Sequence, residues 1–255
     1  MRDVEGQPRA VRRRRSAPES YGRDAQYPRR AEAVVVRTAR IALCDSVAPG
    51  YRRGVTETTA AYTDPATEYT ALLGSMSAVH PSDRQIVESW AGRVSGPVLD
   101  AGCGPGHWTN HLAELGLDAR GIDVVPEFVG HARSTYPGIR FDLESIDRTD
   151  APDASLGGVL SWFSTIHHDP TTIGTPIAEF ARILRTGGEL VLGYFDGASC
   201  EAFEHAVLRA YRWPADDLHG LLDAAGFDVV ETHRRATRGQ RPVGTIVCER
   251  RAAAR

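Results

Sequence analysis

The chain has 255 residues, of which 42% are hydrophobic and 25% are charged, and its formal net charge at pH 7 is -3. These values are typical of one principal globular domain. The sequence has no apolar run long enough to span a membrane, no secretory signal segment and only four scattered cysteines, so a membrane protein and a disulfide-stapled protein are excluded. We expect a cytoplasmic protein with reduced thiols.

The N-terminal segment differs from the rest of the chain. Residues 1–53 have 13 Arg and 6 acidic residues, which leaves 17 Arg and 27 acidic residues for the remainder. Because residues 1–30 have almost no apolar periodicity, the sequence predicts a disordered tail over residues 1–54 and a folded domain over residues 55–255. The tail could also be a basic arm that binds nucleic acid. The acidic remainder argues against a nucleic-acid substrate, since such binding needs clustered positive charge.

The folded part begins with helical patterns and continues as an alternation of strands and helices. Helices are predicted over residues 59–73, with an interruption near Pro65, and from Pro81 onwards. The predicted strands are 97–101, 119–123, 139–143, 156–162, 188–195, 227–233 and 243–249, and the intervening helices are 106–116, 126–135, 172–184 and 214–225. Alternation of this kind favours an α/β fold with a mainly parallel sheet and helices on both of its faces.

A glycine-rich turn follows the first predicted strand. The strand ends with Asp100, and glycines then occupy positions 102, 104 and 106. Glycine has no Cβ, so its backbone can lie directly against a bound cofactor. The next strand ends with Asp123, about 20 residues further on, where nucleoside-binding folds place a carboxylate that binds the ribose hydroxyls. The two features together predict a nucleoside-binding site.

The run from Asp100 to Gly106, together with Asp123, resembles the first motif of the class I S-adenosylmethionine (SAM)-dependent methyltransferases. A dinucleotide fingerprint would have its third glycine at position 107, where this chain has His107, so an NAD(P)-dependent oxidoreductase is the less favoured alternative. The resemblance implies SAM as cofactor and a Rossmann-like sheet of seven strands. It also implies that the last strand is antiparallel and lies beside the fifth.

The resemblance further implies which residues hold SAM. Asp100 is expected at the methionine end, Asp123 at the ribose and Val124 at the adenine ring. Ser145 stands where the family often has an acid at the adenine amino group. The expected cofactor-binding residues are Asp100, Gly102, Gly104, Gly106, Asp123, Val124, Glu144, Ser145, Ile146, Ser161 and Trp162.

The residues after the fourth strand concern the acceptor. His167 is the candidate general base because the unperturbed pKa of histidine lies near the working pH, although a histidine packed at a strand–helix junction is an equally good interpretation. Segment 197–213 is expected to help cover the acceptor, and its aromatic residues could equally be core. The sequence thus predicts methyl transfer to oxygen or nitrogen of a small molecule, without a metal. A non-catalytic SAM-binding regulatory module is the main alternative.

Overall fold

The computed structural model describes Thr59, Thr70, residues 74–205 and residues 207–252. The predicted tail and most of the helix predicted over residues 59–73 lie outside these described residues. The described helices are α1 (Pro81–Ala91), α2 (His107–Glu114), α3 (Pro126–Thr135), α4 (Gly174–Ile183) and α5 (Ala215–Ala224). The described strands are β1 (Val98–Ala101), β2 (Ala119–Asp123), β3 (Arg140–Leu143), β4 (Leu156–Trp162), β5 (Leu184–Asp196), β6 (Glu201–Phe203), β7 (Ala210–Trp213), β8 (Phe227–Arg235) and β9 (Val243–Arg250).

The strands form one mainly parallel sheet. Strands β3, β2, β1, β4 and β5 lie side by side in that order and are all parallel. Strand β9 is antiparallel to β5 and pairs on its other side with β8. The predicted α/β class, and the antiparallel last strand beside the fifth predicted strand, are therefore confirmed.

Helices cover both faces of the sheet. The larger core packs α4 and α5 against one face, through residues such as Phe180 and Leu222. On the other face, Trp90 of α1 and Leu112 of α2 pack on β1, β4, β5 and β9, and α3 packs on Phe141 of β3. The position between two helical layers explains why the central strands β1 and β4 are buried along most of their length.

Helix α1 begins at Pro81, as the sequence predicts, and the residue before it caps the helix: Nδ1 of His80 accepts a hydrogen bond from the backbone N–H of Ser82. Pro81 occupies the first helical position, where its missing N–H costs nothing. Histidine is a rare cap, so a search for Ser, Thr, Asp or Asn does not find it.

A short hairpin that the sequence did not predict extends the sheet. Strand β6 is antiparallel to β7, and β7 is parallel to the end of β5, with Phe195 opposite Arg212. The N–H of Tyr211 also donates to the carbonyl of Ile166, in the loop after β4. The hairpin therefore stands at the carboxyl ends of β4 and β5.

A buried ion pair holds α1 against β8. The guanidinium of Arg235 donates to both carboxylate oxygens of Asp83, at 2.6 and 3.3 Å, and Asp83 is only 5% exposed. Because Asp83 is buried, water cannot take the place of Arg235 as its partner, so the pair fixes the position of the helix on the sheet.

Within the described residues, no helix has both the length and the apolar character needed to cross a membrane.

Replacing Arg235 with Met should lower the free energy of unfolding by about 3 kcal/mol, because Asp83 would stay buried without its cation. The matched control is Arg84→Met, which removes an exposed ion pair with Glu88 and should cost less than about 0.5 kcal/mol. Urea unfolding followed by circular dichroism measures both changes. Equal losses in the two variants would contradict a special role for the buried pair.

Candidate functional site

The sheet has a point where strand order reverses, between β1 and β4. In open parallel sheets, ligands bind beyond the carboxyl ends of the strands at such a point. Three segments meet there: the glycine turn (Gly102–Gly106), the end of β2 at Asp123, and the residues that follow Trp162 of β4. The predicted site residues are concentrated in these segments.

The glycines of the turn all have left-handed backbone conformations, with φ of 79° at Gly102, 52° at Gly104 and 89° at Gly106. A Cβ on Gly102 would collide with the side chain of Ser164, so the turn lies directly against the end of β4. At Gly104 the situation is the opposite. No atom of the described residues lies within 4 Å of the position that its Cβ would take. As far as the described residues go, the backbone there is open to a ligand that lies against it.

Asp123 fixes the turn to the end of β2. Its Oδ2 accepts a hydrogen bond from the N–H of Gly104 at 2.8 Å, and its Oδ1 accepts one from the N–H of Val125 at 2.9 Å. The residue is 8% exposed, and this burial raises the pKa of its carboxyl to about 6, against the two backbone hydrogen bonds. Each carboxylate oxygen still has a second lone pair that can accept from a ligand.

Asp100 lies under the turn. It is 1% exposed, and its Oδ2 accepts a hydrogen bond of 2.7 Å from the hydroxyl of Thr109 on α2. Burial raises the pKa of Asp100 to about 7, and the neighbouring charge of Asp123 adds to the rise. Sequence reasoning did not find Thr109, because nothing in the spacing of a threonine nine residues later signals this bond.

The expected adenine side contains polar groups that already have partners. The Glu144 carboxylate accepts from Arg120 at 3.2 Å and from the backbone N–H of Asp150 at 3.1 Å. The Ser145 hydroxyl oxygen accepts from the N–H of Asp147 at 3.2 Å. These bonds order the loop after β3, and they leave fewer lone pairs on the Glu144 carboxylate to accept hydrogen bonds from a ligand.

The other two residues of that side are apolar. Ile146 is 8% exposed and belongs to the core under α4 and α5. Val124 is half-buried, and its carbonyl accepts a hydrogen bond of 3.1 Å from the hydroxyl of Thr59. Thr59 therefore lies at the end of β2.

The end of β4 carries the remaining predicted cofactor residues. Ser161 is fully buried, and its hydroxyl lies 2.7 Å from that of Ser164, which contacts the glycine turn. The Trp162 ring packs 5.5 Å from that of Trp108 on α2. The structure thus brings Ser161 and Trp162 next to the turn, and sequence reasoning missed the linking residue Ser164.

His167 contacts the segment after β5. Its Nδ1 lies 2.8 Å from the carbonyl oxygen of Arg209, and its ring centroid is 5.7 Å from that of His205. A carbonyl can only accept, so Nδ1 carries the proton and Nε2 carries the lone pair. Burial lowers the pKa of His167 to about 4 despite this hydrogen bond, so the imidazole is neutral at pH 7. No group of three His, Cys, Asp or Glu side chains in the described part of the chain could hold a metal ion.

Comparison with known proteins places this geometry in a family. Residues 98–188 match the family model of a methyltransferase domain. A probable S-adenosylmethionine-dependent methyltransferase of Mycolicibacterium smegmatis is 29% identical over 140 residues, which cover 53% of this chain and 53% of that protein. The ubiquinone biosynthesis O-methyltransferase of Xanthomonas axonopodis pv. citri is 30% identical over 141 residues, or 53% of this chain and 57% of that protein. The chain spans about half the length of the curated relatives it matches.

A solved structure supports the same assignment at the level of the fold. The 1,6-didemethyltoxoflavin-N1-methyltransferase of Burkholderia thailandensis, with bound 1,6-didemethyltoxoflavin and S-adenosylhomocysteine, is similar with a TM-score of 0.66 and 21% identity. The similarity covers 83% of this chain and 94% of that one. Residues 98–188, from β1 into β5, therefore form a methyltransferase domain that is similar to those of SAM-dependent methyltransferases.

Proposed function

We propose that this chain transfers the methyl group of SAM to an oxygen or nitrogen atom of a small-molecule acceptor. SAM supplies a methyl group on a positively charged sulfonium, and the protein has to place the acceptor in line with it. The observation that carries the proposal is the open backbone at Gly104 beside the carboxylate of Asp123. This pairing fits a ligand that has ribose hydroxyls and a chain that lies along the turn.

The residues around the turn fit the two polar ends of SAM. The spare lone pairs of Asp123 would accept the ribose hydroxyls, and Gly102, Gly104 and Gly106 would leave room for the methionine part. Asp100 would act from below, as a buried negative charge near the cationic end. Val124 and Ile146 would cover adenine, Glu144 and Ser145 would form its polar rim, and Ser161 and Trp162 would border the sulfonium.

His167 would touch the acceptor and take its proton. Its neutral imidazole has the lone pair on Nε2, as the bond to Arg209 requires. A base is needed only where the acceptor must lose a proton, so a nitrogen acceptor that is already neutral would react through placement alone. A residue that takes the proton of the acceptor has a use in an enzyme and none in a regulatory module that only binds SAM.

We also propose that residues 55–255 act as one domain and that residues 1–54 are a separate tail. The support comes from the segment before α1, where Thr59 bonds to Val124 and the N–H of Gly74 donates to the carbonyl of Thr70. A Cβ on Gly74 would lie 3.2 Å from that of Pro105, inside the glycine turn. Thr59 and Gly74 therefore lie beside the site.

Replacing Gly104 with Ala should weaken binding of S-adenosylhomocysteine at least tenfold, because the added methyl group projects into the space where the ligand would lie. The matched control is Gly116→Ala, at the far end of α2. Gly116 also has a left-handed φ, of 90°, and no described atom within 4 Å of its Cβ position. Calorimetry measures both affinities. Equal weakening in the two variants would attribute the effect to backbone strain and not to the site.

The affinity for S-adenosylhomocysteine should fall about tenfold between pH 7.5 and pH 5. The pKa of Asp123 is raised to about 6 by burial, so the carboxylate is charged at pH 7.5 and mostly protonated at pH 5. Since the ribose hydroxyls favour the charged form, each pH unit below this pKa costs about a factor of ten in affinity. Calorimetry on Asp123→Asn should give a shallower profile than the wild type, with the remaining slope coming from Asp100, whereas the half-buried control Asp142→Asn should keep the wild-type slope. A pH-independent wild type would contradict the ribose role.

The direct test of the proposed function uses SAM with an isotope-labelled methyl group and a panel of phenols, hydroxyquinones and heteroaromatic amines. Label should appear in an acceptor together with S-adenosylhomocysteine, and His167→Gln should lower the rate on O–H acceptors more than tenfold without changing affinity for S-adenosylhomocysteine. Tight binding of S-adenosylhomocysteine with no transfer to any acceptor would favour the regulatory module. Preference for NADH over SAM would favour the oxidoreductase.

A further inference from the structure

A continuous cluster of rings lies over the carboxyl ends of β4 and β5. The Phe163 ring is 5.4 Å from Trp162 and 5.2 Å from Phe195. Phe195 in turn lies 5.1 Å from Phe203 and 5.9 Å from His205. We call this set, with His167, the aromatic cluster; its members are Trp162, Phe163, Phe195, Phe203, His205 and His167.

Phe163 is held in a strained conformation. Its φ is 58°, in the left-handed region that an aromatic residue rarely adopts. Its ring lies over Gly193 of β5, where a Cβ would approach within 3.2 Å of both the Phe163 and Trp162 rings. Strain of this kind persists where the surrounding structure enforces it, and it is concentrated at functional sites. The next residue, Ser164, contacts the glycine turn, so the cluster begins beside the cofactor position.

The β6–β7 hairpin supplies the far side of the cluster. Phe203 ends β6, and the guanidinium carbon of Arg241 lies 4.7 Å from the centre of its ring. The Arg241 side chain is fixed there by a hydrogen bond from Nη2 to the carbonyl of Glu204. This wall is therefore made of flat groups, namely aromatic rings and the plane of a guanidinium.

The two imidazoles add weak polarity to the wall without charge. Burial, with the nearby His167 and Arg241, lowers the pKa of His205 to about 4. The pKa of His167 is about 4 as well. Both imidazoles are therefore neutral at pH 7 and add no charge to that of the Arg241 guanidinium.

We propose that the acceptor is a planar aromatic or heteroaromatic molecule methylated at a ring-attached O–H or a ring N–H, and that Phe203 and His205 select it. The inference rests on the methyl transfer proposed above and names its substrate class. Rings favour contact with rings, in offset or edge-to-face arrangements worth more than their buried area alone. A non-planar acceptor of the same size would gain only part of this contact.

The chemistry of the base points to the same class. The acceptor oxygen or nitrogen forms a bond to the methyl carbon, the carbon–sulfur bond breaks with its electron pair passing to sulfur, and the proton of the acceptor passes to Nε2 of His167. A phenol-like group, with a pKa near roughly 10, gives up its proton to a neutral imidazole far more readily than an alkyl hydroxyl does, since an alkyl hydroxyl resembles water at roughly 15.7.

Three probes separate shape from acidity: 1-naphthol, its saturated counterpart decahydro-1-naphthol, and 1-naphthylmethanol, which is planar but has an alkyl hydroxyl. Binding to protein saturated with S-adenosylhomocysteine is measured by calorimetry, and transfer by labelled SAM. We expect 1-naphthol to bind at least tenfold more tightly than decahydro-1-naphthol, and to be methylated at least a hundredfold faster than 1-naphthylmethanol. Equal or absent binding of 1-naphthol, or equal methylation of 1-naphthylmethanol, would overturn the inference.

Variants locate the selecting wall. Phe203→Leu should weaken 1-naphthol binding five- to tenfold and leave S-adenosylhomocysteine binding unchanged. The matched control is Tyr136→Leu, which removes a half-buried ring that packs on Phe141 at β3. If Phe203→Leu does not fold, His205→Ala should give the same loss while His205→Phe, which keeps a flat ring, should bind within twofold of wild type. Unchanged binding of 1-naphthol in both Phe203→Leu and His205→Ala would show that the hairpin does not contact the acceptor.

The failures of the two proposals are distinguishable. Binding of S-adenosylhomocysteine together with methylation of the saturated alcohol would overturn the acceptor class and leave methyl transfer standing. Absence of any S-adenosylhomocysteine binding by folded protein would overturn methyl transfer, and the acceptor class with it.

Discussion

The geometry of the site depends on the carboxylate of Asp123, which accepts backbone hydrogen bonds from two separate segments. One bond comes from Gly104 in the glycine turn and the other from Val125, the residue that precedes α3. Bonds of this type are charge-assisted, and they are about twice as strong as those between neutral groups. The carboxylate therefore joins β1, β2 and α3 at one point. The same burial that makes these bonds strong also makes the group harder to ionise, as its raised pKa shows.

Ionisation of two buried carboxylates near the turn lowers the stability of the fold, whereas it favours the binding of a cationic ligand. The pKa values of Asp100 and Asp123 are about 7 and about 6, both raised above the ordinary 3.8 by burial. A raised carboxyl pKa contributes stability that is fully present below pH 3.8 and is lost as the pH rises through 6 and 7. Each unit corresponds to about 1.4 kcal/mol, so ionisation at neutral pH opposes folding. A cationic ligand at the turn offsets this cost, since it stabilises the charged forms in the folded state alone.

Sequence reasoning predicts those parts of this protein that depend on short spacing. Strand β1 is a short buried run followed at once by the glycine turn, and Asp123 follows that turn at the expected distance. The hairpin β6–β7 was not predicted because its strands have only three and four residues and bury few of them. The partner of Glu144 was not predictable either. Arg120 lies 24 residues earlier and meets Glu144 only because β2 and β3 are neighbours in the sheet.

Different contacts hold the two halves of the proposed site. This difference explains why a sequence motif predicts the first half and not the second. The proposed cofactor half is held by hydrogen bonds to the backbone of neighbouring elements, so its residues lie at short spacing along the chain. The proposed acceptor half is held by ring contacts among residues as distant as Phe163 and Phe203. The close approach of Ser164 to Gly102 joins the halves. The ring contacts do not include Asp123, so the motif around Asp123 predicts the cofactor, and the acceptor is inferred from the shape and acid–base character of the wall.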